Sequence, residues 1–193
     1  MSRYALKRFA MSSARPLRWL LISQNIILFA LALVFPYYII FIREIGTSYA
    51  EFAFAYALFS LSAALMHICA GMLSDRFGQM YLLAASAWAT AFALLFFPSV
   101  TALWQVYLLQ VVMGVASAFQ KTGEKAAVIL HAPEVGGGKE IGRYHMWTAV
   151  CSAFAVVAAG YLIDLFSLDI VFYASSLSMF VGGFVSLKIK RTS

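Results

Sequence analysis

Lys121, Glu124 and Lys125 lie within a stretch that carries no other charge from Leu103 to Leu130. On a helix turning about 100° per residue, Gln110, Gly114, Ser117, Lys121, Glu124 and Lys125 fall within an arc of about 100° and form one polar stripe. A charge at membrane depth costs a few kcal/mol even on lenient scales, so such side chains face a bundle interior or a wet cavity and pair with one another. Glu124 can reach Lys121 at i−3, which leaves Lys125 to face an anionic group or a second acid. The competing reading has these charges marking the cytoplasmic end of the helix, with the lysines snorkelling to headgroups. The apolar run Ala126-Ala127-Val128-Ile129-Leu130 beyond them favours the interior stripe as part of a substrate or coupling pathway.

Weaker polar positions accompany this stripe. His67 shares a helical face with Tyr56, Ser60, Ala64 and Gly71. A titrating histidine can relay protons when a carboxylate is near, but no acid occupies a helical neighbour position, so a hydrogen bond to an adjacent helix is the simpler expectation. Gln24 and Asn25 add polar groups near the start of the first apolar run. His145, Thr148 and Ser152 form an arc in a segment rich in Ala and Gly, a pattern that favours close helix packing.

Other chemistries lack their residues. Cys69 and Cys151 both fall inside apolar runs, without CxxC spacing or a disulfide framework. No His or Cys cluster has metal-ligand spacing. His67 and Cys69, the nearest approach to a base and a nucleophile, are two apart and point to different sides of a helix. The Gly136-Gly137-Gly138-Lys139 run lacks P-loop spacing and a preceding strand. The basic termini have no interleaved aromatic residues of the kind that bind nucleic acid. The expectation is therefore a non-enzymatic protein with no cofactor, no metal and no nucleic-acid partner.

The elements that position these groups are set by composition. Of 193 residues, 63% are hydrophobic and 11% charged, with a mean hydropathy of +0.86. A soluble domain is nearer half apolar and a quarter charged. Continuous apolar runs without alternation exclude a transmembrane barrel and predict an all-α polytopic membrane protein. Six spans are predicted, at about 19–42, 49–72, 80–97, 102–130, 144–164 and 168–187. They make one transmembrane domain, 19–187, between a basic tail at 1–18 and another at 188–193. The first run is too long for a signal-peptide core and is read as a retained helix. A flexible connector is expected from about His131 to Gly142, containing Pro133.

Thirteen of the fourteen Lys and Arg residues fall on one side of this topology, in the two tails, at Arg76 and between Lys121 and Arg143. Arg43 is alone on the other side, with Glu44, Glu51, Asp164 and Asp169. By the positive-inside rule both termini are cytoplasmic, as an even span count requires. The predicted setting is a cell membrane, plasma or inner, with lipid as a partner and a net charge of +6 attracting anionic headgroups.

Between the second and third runs lies Gly71-Met72-Leu73-Ser74-Asp75-Arg76-Phe77-Gly78, read as a cytoplasmic turn bounded by glycines. Its pattern, Gly71, Leu73, Asp75, Arg76 and Gly78, resembles the signature loop of the major facilitator superfamily (MFS) of secondary transporters. In that loop Gly71 is expected to let a neighbouring backbone approach, Asp75 to accept from backbone donors at a helix start, and Gly78 to turn the chain. The resemblance continues through Pro36-Tyr37-Tyr38 and Arg43-Glu44-Ile45-Gly46-Thr47-Ser48 at the first-span exit. Thr122-Gly123-Glu124-Lys125-Ala126 is similar to the end of span 4 in a prokaryotic branch, and Gly160-Tyr161-Leu162-Ile163-Asp164 to the fifth-span exit. Gln79 stands where the family usually has a basic residue. Gln110 precedes Gly114 where the antiporter pattern has Arg, and neither the span-5 antiporter pattern nor the sugar-porter motif is present.

The resemblance implies a secondary active transporter moving a small solute, with an anionic substrate one option, by alternating access. It covers one six-span half, similar to the amino-terminal half of the family's two-half architecture. The halves of that architecture share one orientation about an axis along the membrane normal, so this chain can pair with a copy of itself or with another transporter half. In the family the signature loop contacts the other half, which implies a latch formed by Asp75 and Arg76 against a partner's span 5. The alternative is a non-transporting membrane subunit, or a truncated half, assembling with another polytopic protein.

Overall fold

The computed structural model describes residues 3–45, 48–131 and 137–188. Gly46, Thr47, Pro133, Gly136, Lys190 and Arg191 lie outside the described residues, as do the side chains of Arg3, Lys7, Arg8, Arg15, Arg43, Glu44 and Lys139. The described chain is helical throughout: α1 (Arg3–Val34), α2 (Tyr38–Ile45), α3 (Tyr49–Phe77), α4 (Gln79–Phe96), a 3₁₀ turn (Phe97–Ser99), α5 (Leu103–His131), α6 (Gly137–Leu165) and α7 (Leu168–Ser186).

The first apolar run is two helices. Pro36 has no N–H to give and its ring clashes with the carbonyl four residues back, so α1 ends at Val34 and α2 restarts after Phe35-Pro36-Tyr37. α3 begins at a capping box. The Ser48 hydroxyl accepts from Glu51 N–H at 3.3 Å, and Glu51 Oε2 accepts from Ser48 N–H at 3.0 Å. α5 is opened by Gln105, whose Oε1 accepts from the backbone N–H groups of Thr101 and Ala102 at 2.8 and 3.2 Å.

Two predicted loops are largely helix. The glycine-bounded segment is not a turn: α3 continues through Ser74, Asp75 and Arg76 to Phe77, and Gly78 alone separates it from α4. Gly78 adopts φ 93°, a conformation that suits glycine, and its N–H closes on Ser74 O at 2.9 Å. The connector expected to reach Gly142 also ends early, since α6 is already helical at Gly137. In both places polar residues continue a helix past the apolar run, which hydropathy alone reads as its end.

α4 packs between α5 and α7, α1 packs on α7 and α6, and α3 packs on α5. The main core runs through Ile27, Ala30 and Leu33 of α1, Ala87, Ala91 and Leu94 of α4, and Val171, Phe172 and Met179 of α7. At one end, Phe97 stacks on Phe172 with ring centroids 5.3 Å apart, and Phe41 meets both rings edge-on. This aromatic cluster fixes α2 beside the 3₁₀ turn. Small residues bring other helices close: a Cβ added at Gly182 would lie 2.7 Å from Ile27, and one at Gly114 would collide with Ser62 and the Phe59 carbonyl of α3.

Five helical segments are long and apolar enough to cross a membrane: Tyr49–Phe77, Gln79–Ser99, Leu103–Leu130, Ile141–Leu165 and Leu168–Ser186. The apolar part of α1, Arg18–Val34, is shorter, and the apolar sequence carries on through the Pro36 break into α2. Among the five, α4 is the most buried, while α3 and α6 are the least.

Candidate functional site

The α5 stripe changes character along its length. Gln110 and Gly114 are buried, Ser117 and Glu124 half-buried, and Lys121 and Lys125 exposed. At the buried end, Gln110 Nε2 donates to the Tyr38 hydroxyl, tying α5 to α2. Tyr38 is also set edge-on against Phe97, so this end of the stripe is packed shut by aromatic rings. The adjacent Tyr37 donates its hydroxyl to Val156 O on α6 at 3.0 Å, beside Gly160, where a Cβ would come within 2.8 Å of that oxygen. One proline break thus aims two consecutive tyrosines at two different helices.

The other end of the stripe is open and has a neighbour on each side. His67 Nδ1 of α3 lies 3.1 Å from Thr122 Oγ1. From α6, the buried Tyr144 donates its hydroxyl to Glu124 Oε1. Glu124 is therefore joined to α6 and forms no ion pair with Lys121 among the described residues, although the i−3 spacing allowed one. His145 follows Tyr144 and is exposed, its ring edge-on to the tyrosine at 5.1 Å. Thr148 is buried and returns its hydroxyl to the Tyr144 carbonyl at 3.1 Å, so it serves its own helix and stays out of the stripe.

Behind the stripe lies a polar network that sequence reasoning missed. Gln120 Nε2 donates to Gln24 Oε1 at 2.7 Å, and Gln120 Oε1 accepts from the Ser86 hydroxyl at 2.7 Å. Three helices, α1, α5 and α4, meet there through fully or nearly fully buried side chains. Gln120 sits about 80° from Gln110 on the α5 wheel, outside the polar arc, which is why periodicity passed it over. Gln24 Nε2, Gln79 Nε2 and Asn25 Oδ1 are buried with no hydrogen-bond partner among the described residues, while Asn25 Nδ2 donates to Leu21 O at 2.7 Å.

Residues of the Gly71–Gly78 segment occupy the cytoplasm-facing end predicted for α3. A Cβ at Gly71 would meet nothing within 4 Å, so no other backbone among the described residues approaches it. Leu73 is half-buried, and Asp75 and Arg76 are exposed in the last turn of α3. Asp75 does not cap α4: the residue at that position is Gly78, without a side-chain hydrogen bond. Arg76 lies over the Phe77 ring, 5.3 Å from its centroid. Among the described residues no group of three His, Cys, Asp or Glu side chains is arranged to hold a metal.

The sequence profile of the Major Facilitator Superfamily matches residues 20–193. This chain is a member of the major facilitator superfamily. It is 44% identical over 160 residues to YitZ of Bacillus subtilis (strain 168), described as an uncharacterised MFS-type transporter, across 83% of this chain and 98% of YitZ. It is 27% identical over 110 residues to another such protein of that organism, YuxJ, across 57% of this chain and 28% of YuxJ. Similarity to the multidrug resistance protein MdtG of Dickeya zeae (strain Ech586) is 25% over 157 residues, across 79% of this chain and 38% of MdtG. The chain thus spans nearly all of YitZ and less than two fifths of the other two MFS relatives. Membership makes it a multi-pass membrane protein of a transporter family, which agrees with the apolar helices.

Proposed function

We propose that this MFS chain is a secondary active transporter that moves a small solute by alternating access, working as a parallel dimer of two copies. Its six spans are α1 continued through α2, then α3 to α7, with both termini on the cytoplasmic side of the cell membrane. What supports the reading is one spatial coincidence. The α5 stripe lies between α3 and α6, which touch α5 through His67–Thr122 beside the stripe and Tyr144–Glu124 within it, and these are the two least buried long helices. A polar stripe flanked by two sparsely buried helices offers one wall of a cavity, and a second copy related by an axis along the membrane normal supplies the other. YitZ, matched over 98% of its length, is likewise a half-sized MFS-type chain.

Two measurements test this. Native mass spectrometry from lipid nanodiscs is expected to give a dimer, and a strictly monomeric particle overturns the pairing. Proteoliposomes with an imposed ion gradient, screened with a panel of drugs because the relative MdtG is named a multidrug resistance protein, are expected to show accumulation that an ionophore collapses. A well-folded dimer without gradient-driven flux for any compound favours the other reading, a membrane subunit that assembles with a different polytopic chain across the same face.

A further inference from the structure

Lys121 and Lys125 lie on the open part of the α5 stripe, both exposed, with one carboxylate between them. That carboxylate is held from the side by the Tyr144 hydroxyl of α6, so it is oriented across the helix pair and makes no ion pair with either lysine. Among the described side chains of this face two ammonium groups stand against one acid, and His145 and His67 flank them as donors or acceptors, not as anions. An ammonium near hydrocarbon is costly without an anion beside it. Exposed apolar side chains occur at this height, Ile68 on α3 and Trp147 on α6, the latter three residues beyond Tyr144 and about 60° from it around the helix. The heights match, because Thr122 meets His67 and Glu124 meets Tyr144.

We infer that Lys121 and Lys125 form an anion subsite in the pathway, and that the solute is an amphipathic organic anion. Its carboxylate, sulfonate or phosphate group is held by the two ammonium groups while its apolar body lies against the exposed side chains of α3 and α6. This deepens the transporter reading and rests on it. Tyr144 engages Glu124 from α6, and the acid forms no direct ion pair with either lysine. The same anionic chemistry is present on lipid headgroups, so both sources enter the test.

The experiment uses the full chain in phosphatidylcholine nanodiscs and two fluorescent probes of one skeleton, anionic 8-anilinonaphthalene-1-sulfonate and neutral N-phenyl-1-naphthylamine. Wild type is expected to bind the sulfonate saturably and more tightly than the neutral probe. The Lys121→Gln/Lys125→Gln protein should lose about tenfold in sulfonate affinity and keep the neutral probe, whereas Lys121→Arg/Lys125→Arg should retain both. Retention of the neutral probe by the glutamine variant shows that it is folded. Equal affinity of wild type for the two probes, or a glutamine variant with undiminished sulfonate binding, overturns the anion subsite and leaves the dimer and flux measurements untouched. In discs containing phosphatidylglycerol, the lysine-dependent part of sulfonate binding should persist. Its disappearance there assigns the lysines to lipid headgroups and overturns the proposal.

Discussion

The Tyr144 hydroxyl donates to the Glu124 carboxylate, so the acid of the α5 stripe is joined to α6 and not to Lys121 one turn before it. Tyr144 is 3% exposed, and the bond ties two helices that otherwise touch little near this end. On the open side of the bundle, α5 and α6 are therefore bridged at one level by this hydrogen bond. Its removal has a readable cost.

Replacing Tyr144 by Phe leaves the ring in place and deletes the donor. The expected loss is about 1 to 2 kcal/mol in the stability of the detergent-solubilised protein, measured by thermal or denaturant unfolding. In a cycle with Glu124→Leu, which removes the acceptor, the two losses should not add, since both remove the same contact. Additive losses would mean that the bond does not form.

Gln120 serves two partners at once, Gln24 and Ser86, in a buried layer. Gln120→Leu strands the Gln24 carbonyl and should destabilise the fold by about 1 to 3 kcal/mol. The double variant Gln24→Leu/Gln120→Leu should recover part of that loss, because it removes both ends of the bond and leaves an apolar contact. A double variant less stable than the sum of the singles would overturn this account of the layer.

Gly114 lies where α5 crosses α3. A methyl group there meets both the Ser62 hydroxyl and the Phe59 carbonyl. Gly114→Ala is expected to cost about 1 to 3 kcal/mol by overpacking. Adding Ser62→Ala should restore only a fraction, since the backbone carbonyl of Phe59 stays in place; full rescue would locate the clash in the side chain alone. Unfolding midpoints of the three variants decide it.

Asp75 is exposed in the last turn of α3 and caps nothing. Asp75→Asn should leave the stability of the chain within about 0.5 kcal/mol, as expected of a surface change. If the residue latches a partner copy, the same variant should transport poorly in proteoliposomes while inserting normally. Uptake at the wild-type rate would remove the latch.

Much of the fold was legible before any coordinates. Long uncharged runs read as membrane-scale helices, and Gln79–Ser99 and Leu168–Ser186 are helical segments long and apolar enough to cross a membrane. Helices with polar ends were harder. Ser74 to Phe77 and Gly137 to Gly142 were read as connections because hydropathy registers the loss of apolar character, while a helix stops only at a breaker. In the first case the breaker is Gly78, at φ 93°. The Pro36 break was visible as a residue type, but its consequence was not: the turn sends Tyr37 to α6 and Tyr38 to Gln110 on α5.

By itself the sequence determined the class, the helix inventory and the angular arc of the α5 stripe, because hydropathy and 3.6-residue periodicity are properties of one helix at a time. Only the tertiary structure decided which neighbour each polar atom meets. It gave Glu124 to Tyr144, brought Gln120 to Gln24 and Ser86 from helices distant in the chain, and left Lys121 and Lys125 on the open side. A helical wheel fixes directions about one axis, whereas a contact requires the separation, height and rotation of two. Those are set by how small residues such as Gly114 and Gly182 let the helices close on one another.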